Sequence, residues 1–302
     1  MKRKKASAII KRQALLGYAF MLPWILGFLL LTAFPFFHTI FLSFHHVQYT
    51  ILGWETTFAG IDNYDLAFLR NPTFMPNIIS FVIMQITYTP TITVIAFLLA
   101  LLLNRGLKGQ GIFRALFFLP VIVMSGPVMN ELMEAGGLSG IDISEMALYG
   151  MVAQFSPHVA NALAFLFENY SALLWFTGIP IVLFISGLQK INSGILEAAR
   201  IDSATSWQIL WKITIPILRP IVMVSVILTV VQLSSYTLNP VLPMIQSAIF
   251  DTVGGLGLAS AFAWIYTLVV LLLIGLAFLI LKNPKEIVPK EVKRRTRAWN
   301  ER

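Results

Sequence analysis

Between Arg12 and Glu55 the chain carries no Asp, Glu, Lys or Arg, and its stretch from Ala14 to Phe37 is predominantly apolar. A helix rises about 1.5 Å per residue and the hydrocarbon core of a bilayer is about 30 Å thick, so this stretch is long enough to cross. It is too long, and too lacking in a small-residue cleavage site, for a removed signal peptide. In lipid every backbone amide must be satisfied within the segment, which makes the crossing helical. Further charge-poor gaps run from Arg70 to Arg105, with a span near Ile78–Leu103, and from Arg114 to Glu131. The latter predicts a span over Ile112–Met133 in which Arg114 snorkels to the interface. Three more gaps lie between Glu168 and Lys190, Arg219 and Asp251, and Asp251 and Lys282. The sequence therefore predicts an all-α integral membrane protein with six transmembrane helices.

Composition agrees. Hydrophobic residues make up 57% of the chain and charged residues 12%, with a mean hydropathy of +0.79. Soluble domains carry roughly 25% charged residues. An apolar excess of this size must face lipid, which excludes soluble enzymes and nucleic-acid modules. The chain has no cysteine, so disulfides, thiolate metal sites and cysteine nucleophiles are excluded too.

The net charge of +8 reads as a topology signal. With six spans and a cytoplasmic N-terminus, every one of the 22 Lys and Arg residues except Arg70 lies on the inner side. A seventh crossing between Glu145 and Glu168 would carry the last two basic clusters outside. Met146–Phe167 is therefore expected to be an interfacial or partly inserted helix on the outer face. Residues 1–13 form a basic cytoplasmic tail, 14–281 the six-span domain, and 282–302 a second basic tail beside anionic lipids. The polar outer segment His45–Asn77 reads as a docking or capping loop.

The most informative stretch is the inner loop, residues 190–219. Asn192 or Ser193 can cap a short helix, and Leu196-Glu197-Ala198-Ala199-Arg200 favours one. Asp202-Ser203 is a break-and-recap signal before a second helix with Trp207, Leu210 and Trp211 at helical spacing. Pro216 and Pro220 mark entry to the fifth span. Small Ala198, Ala199 and Ala204 leave room for a partner's surface, and Glu197 and Asp202 offer carboxylates.

Glu197-Ala198-Ala199, then Ser203, Ile213, Ile215 and Pro216, resembles the EAA motif of the membrane subunits of binding-protein-dependent ABC importers. Tyr18–Trp24, Phe113–Pro120, Gly187-Leu188-Gln189 and Gly257–Ala261 resemble the maltose-type sugar permeases, so the likeness covers nearly the whole chain. Ser203 stands where the motif has glycine, and Ile215 where it has leucine. A left-handed turn at Ser203 would cost about 1–2 kcal/mol; otherwise Ser203 caps the second helix. The outer end of the fifth span also lacks the Phe-Asp and Gly-Gly-Pro features of that subfamily.

The resemblance implies a type I ABC importer permease with a cytoplasmic coupling helix, in a bacterial or archaeal plasma membrane, with both termini cytoplasmic. It implies a second homologous permease subunit, two cytoplasmic ATPase subunits, an extracytoplasmic solute-binding protein and a sugar or oligosaccharide substrate. ATP and Mg²⁺ would act on the ATPase subunits, because this chain has no phosphate-binding loop. It also implies that Glu197 meets a basic ATPase residue while Ala198, Ala199 and Ala204 pack into a groove. The chain itself is expected to be no enzyme and to hold no cofactor or metal: His38, His45, His46 and His158 show no metal spacing. Polar residues within spans tend to face a cavity or a neighbouring helix. Gln232, Ser235, Tyr236 and Asn239 of the fifth span, Tyr88 of the second and Trp264 of the sixth are therefore the substrate-path candidates. An importer for a non-sugar solute is the first alternative. An ion-coupled carrier is the second, although the spans offer almost no ionisable residue away from their ends.

Overall fold

The structure is a computed structural model that describes residues 16–50, 53–104, 111, 146–168, 170–236, 239–251 and 254–282. The expected third span, Ile112–Met133, lies outside the described residues, as do the tails 1–13 and 283–302.

Helix α1 is Leu16–Ser43. A two-stranded antiparallel hairpin follows, β1 His45–Thr50 and β2 Gly53–Phe58. Then come the short α2, Asp62–Asp65, and the long α3, Phe74–Leu103. Beyond the third expected span lie α4 Ala147–Phe155, α5 Pro157–Glu168, α6 Tyr170–Gln189 and α7 Ser193–Ile201. The series closes with α8 Ser206–Ser234, α9 Val241–Ala248 and α10 Gly255–Leu281. Helices α1, α3, α8 and α10 are each long and apolar enough to cross a membrane. A fifth span is added if α6 and α7, bent by 67° at their junction, are counted together. The apolar window of α1 is wholly unburied and that of α10 only 11% buried, as lipid-facing helices require.

Three sequence expectations change. The segment His45–Asn77, read as a loop, contains the hairpin within an otherwise helical membrane protein. Val47, Tyr49, Thr56 and Thr57 favour strands, and Gly53 takes a φ of +115° that suits glycine. Met146–Phe167 is two helices, not one: Ser156 is extended ahead of Pro157, as a residue before proline prefers. The fifth span stops at Ser234, so Ser235, Tyr236 and Asn239 lie beyond its helix.

Prolines explain the other irregularities. Each π-helical turn described, Leu29–Ala33, Leu66–Arg70 and Leu210–Thr214, is followed two residues on by a proline, Pro35, Pro72 and Pro216. A proline ring lacks an amide hydrogen and collides with the carbonyl four residues back. At Pro35 and Pro216 widening the preceding turn moves that carbonyl out of the way without ending the helix, whereas at Pro72 the helix ends with Arg70 and Asn71 is extended.

The chain divides into two compact units. The first comprises Met1–Phe81 and Thr237–Val269. Here the hairpin is seated on the start of α10. Asn63, fully buried, donates to the Ser43 and His45 carbonyls at 2.9 and 3.0 Å. Gly257 lies against the His45 carbonyl, so a Cβ there would fall 1.8 Å from that oxygen. Phe74 stacks on Phe262 at 4.1 Å and Phe81 meets Tyr266 edge-on at 5.0 Å. Arg70, the one outer cation of the sequence map, pairs with Asp65 at 2.7 Å and Asp62 at 3.5 Å.

The second unit comprises Val82–Tyr236 and Val270–Arg302. Its core joins α3, α6 and α8 through Ala96, Ala100, Phe184, Ile185 and Leu218. Gly187 of α6 faces Ile221 and Leu218 so closely that a Cβ would stand 2.1 Å from the Ile221 side chain. Buried Gln85 donates to the Val230 carbonyl and the Ser234 hydroxyl, tying α3 to α8. Thr87, Thr91 and Thr93 return their hydroxyls to carbonyls one turn back, which keeps them satisfied in an apolar setting.

Candidate functional site

The loop of residues 190–219 folds as a helix, a left-handed turn and a second helix. The Asn192 side chain accepts from the Gly194 amide at 2.9 Å and starts α7. The helix closes with Ser203 N–H donating to Arg200 O and Ala204 N–H to Ala199 O, both at 3.0 Å. That bond pair is a Schellman closure, and the residue at its turn needs a positive φ. Ser203 has a φ of +59° and is the non-glycine residue with positive φ among those described. Of the two possibilities for Ser203, the left-handed turn is the one adopted. Capping of α8 falls instead to Thr205, whose hydroxyl accepts from Gln208 N–H while the Gln208 side chain accepts from Thr205 N–H.

Since α7 leaves α6 at 67°, it leaves the direction of the span. Glu197, Ala198, Arg200, Asp202 and Ser203 are exposed, and Ala199 and Ala204 are half-buried. Among the described residues Glu197 and Asp202 take part in no ion pair. Ile195, Ile201 and Trp207 are also exposed, so the loop presents apolar side chains beside its carboxylates. Ile213 is half-buried within the Leu210–Thr214 turn, and Pro216 follows that turn in α8. The loop's second helix is thus continuous with the span and not a separate element. Such a surface has the features of a docking face: small residues for close approach, unpaired carboxylates for orientation, and apolar residues to exclude water.

A second cluster lies in the same unit. Ile92, Leu173, Phe176, Leu233 and Tyr236 pack together, with Tyr88 and Trp175 against them. Tyr236 meets Phe176 edge-on at 4.7 Å. The Tyr236 hydroxyl, the Trp175 indole nitrogen and the Gln232 amide oxygen are buried without a hydrogen-bond partner among the described residues. Buried polar atoms without partners cost about 1–3 kcal/mol each. The cluster thus sets aromatic rings beside buried hydrogen-bonding groups.

Of the sequence-derived path candidates, Tyr88 and Tyr236 come together here, Gln232 sits near the adjoining end of α8, and exposed Ser235 follows just past it. The other two lie in the first unit, where packing holds them. Asn239 is fully buried, donates to the Tyr266 hydroxyl at 2.7 Å and accepts from Val241 N–H at the start of α9. Trp264 donates to the Thr39 hydroxyl at 2.9 Å and packs on Phe36. Sequence reasoning missed Trp175. It sits in an apolar run of the fourth span, where a tryptophan looks like lipid-facing bulk. The signal within reach was Gly178-Ile179-Pro180 just after it, which marks an irregular helix segment.

The comparisons with known proteins bear on the same features. No family model matches the chain. The chain is 29% identical over 301 residues to a probable ABC transporter permease protein, YesP, of Bacillus subtilis, covering 92% of each. It is 31% identical over 205 residues to the multiple sugar-binding transport system permease protein MsmF of Streptococcus mutans, covering 68% of this chain and 69% of that one. In fold it is similar to a chain from the crystal structure of a bacterial alginate ABC transporter in complex with an alginate pentasaccharide-bound periplasmic protein. That likeness has a TM-score of 0.61 at 18% identity and covers 90% of this chain and 96% of the other.

Proposed function

Because the chain belongs to the sugar and oligosaccharide permease family of binding-protein-dependent ABC transporters, we propose that it carries an oligosaccharide inward through a path lined in part by Tyr88, Trp175, Gln232 and Tyr236. Both termini lie in the cytoplasm, the arrangement that leaves Arg70 as the single outer basic residue. A second permease chain completes the path, and an extracytoplasmic binding protein delivers the solute from the outer side.

The observation that carries the reading is the loop at Glu197. It leaves the fourth span at 67° and returns through a helix continuous with the fifth. Its carboxylates have no partner within the described chain. Two cytoplasmic ATPase subunits, one of them seated on α7, supply the energy. Glu197 pairs with a basic residue of that subunit, and Ala198, Ala199 and Ala204 pack into its groove. Closure of the ATPase pair on ATP and Mg²⁺ displaces the loop and shifts the spans between two arrangements that differ in access. No ionisable side chain is needed inside the spans for this, in contrast to an ion-coupled carrier.

The test is uptake by the assembled complex in proteoliposomes, with labelled maltose and an alginate pentasaccharide as two probes of different charge and length. The reading expects uptake of a saccharide that needs both ATP and the binding protein. In the same assay Trp175→Ala should lower uptake of that saccharide by roughly tenfold, the loss of one aromatic stacking face. ATP-independent uptake of either probe driven by an ion gradient would overturn it.

A further inference from the structure

Arg219 lies near the cytoplasmic end of the α8 span and reaches across to the end of α10. Its Nε donates to the Leu281 carbonyl at 3.1 Å and its Nη2 to the Ile280 carbonyl at 3.3 Å. The last carbonyls of a helix have no amide partner within it and carry the negative end of the helix dipole. A guanidinium satisfies both needs, and its planar fork fits two neighbouring acceptors where an ammonium would offer a single point charge. Between the Thr205 capping box and Arg219 the chain is one continuous helix, widened only at Leu210–Thr214. The arm of the inner loop and the guanidinium therefore belong to one body.

We propose that Arg219 is a positioning residue that latches the loop arm to the inner end of α10, so that a displacement imposed at α7 is passed to the sixth span as well as the fifth. The inference rests on the importer reading above. If the loop moves, the carbonyl end of α10 must follow it or two charge-assisted bonds must break. A plain topology anchor makes a different demand: any cation at position 219 would serve it equally.

The native chain has no cysteine, so labels can be placed singly without background. Ser206→Cys, on the loop arm, and Leu279→Cys, on the exposed face of α10, give a spin-label pair whose distance can be read in the assembled complex. With Arg219 present, the distance distribution should be narrow and the same without nucleotide and with ATP bound, because the two elements move together. In Arg219→Gln it should broaden and differ between the two states, and in Arg219→Lys it should do so to a lesser degree. An unchanged distribution in Arg219→Gln would overturn the latch. If that variant does not assemble, Arg219→Lys decides: a broadened distribution supports the latch, and one identical to the native chain reduces Arg219 to an anchor. Failure of the importer reading is seen separately, as a single Ser206→Cys label that does not respond to ATP in the native complex. The static distance in the Arg219 variants then still decides the latch.

Discussion

Ser203 shows how far a single residue can be reasoned from sequence. The spacing puts a chain reversal at Asp202-Ser203, and glycine is the residue that reversal favours. What could not be read was whether serine would force another turn or be forced into this one. The Schellman bonds to Arg200 and Ala199 decide for the strained turn. Ser203→Gly should relieve that strain and raise the stability of the chain by about 1 kcal/mol, read as a higher midpoint of thermal unfolding in detergent. A lower midpoint would mean that the serine hydroxyl contributes something the turn geometry does not. At the second cluster the polar residues of the fifth span were visible in sequence because polarity is conspicuous in an apolar run. Trp175 was not, since its role depends on the unsatisfied indole nitrogen and on what α3 and α8 bring beside it. Gly257 is legible only in the structure: nothing in the run Gly254–Gly257 tells which glycine meets the His45 carbonyl. Gly257→Ala should displace the hairpin and cost about 1–3 kcal/mol, the usual penalty of overpacking. Hydrogen exchange at β1 that stays at the native rate in this variant would contradict that account.

At the scale of elements, the long spans were legible because a run without charge has one stable form in lipid. The ends were less so. α1 continues to Ser43, under two turns past Phe37, and α8 begins at Ser206, more than three turns ahead of Arg219, because helical hydrogen bonding continues where the residues turn polar. Pro216 and Pro220 read in sequence as the entry to the fifth span, yet the helix runs through both, with a widened turn before Pro216. The hairpin escaped notice because a strand of six residues in a polar loop offers too short an alternation to stand out from a turn-rich segment. Its anchoring is tertiary: Asn63 and Gly257 lie distant in sequence from the backbone they hold.

For the whole molecule, charge is the quantity that the sequence discloses best. The single exception to its one-sided distribution, Arg70, is balanced by Asp62 and Asp65 beside it. Exposed pairs of this kind are worth about 0–1 kcal/mol. Arg70→Gln should therefore leave the thermal midpoint and the reporter-mapped topology unchanged, and an inverted topology would show that Arg70 takes part in setting orientation. Scarcity of charge within the spans fits the proposed function, in which energy enters through the loop at Glu197. The central claim is that ATP drives transport through that loop, and the most direct measurement replaces Glu197 with Lys and Ala199 with Trp in the assembled complex. The account predicts that ATPase subunits no longer co-purify with the permease and that ATP-dependent uptake is lost. Retained ATPase association with unchanged uptake would contradict it.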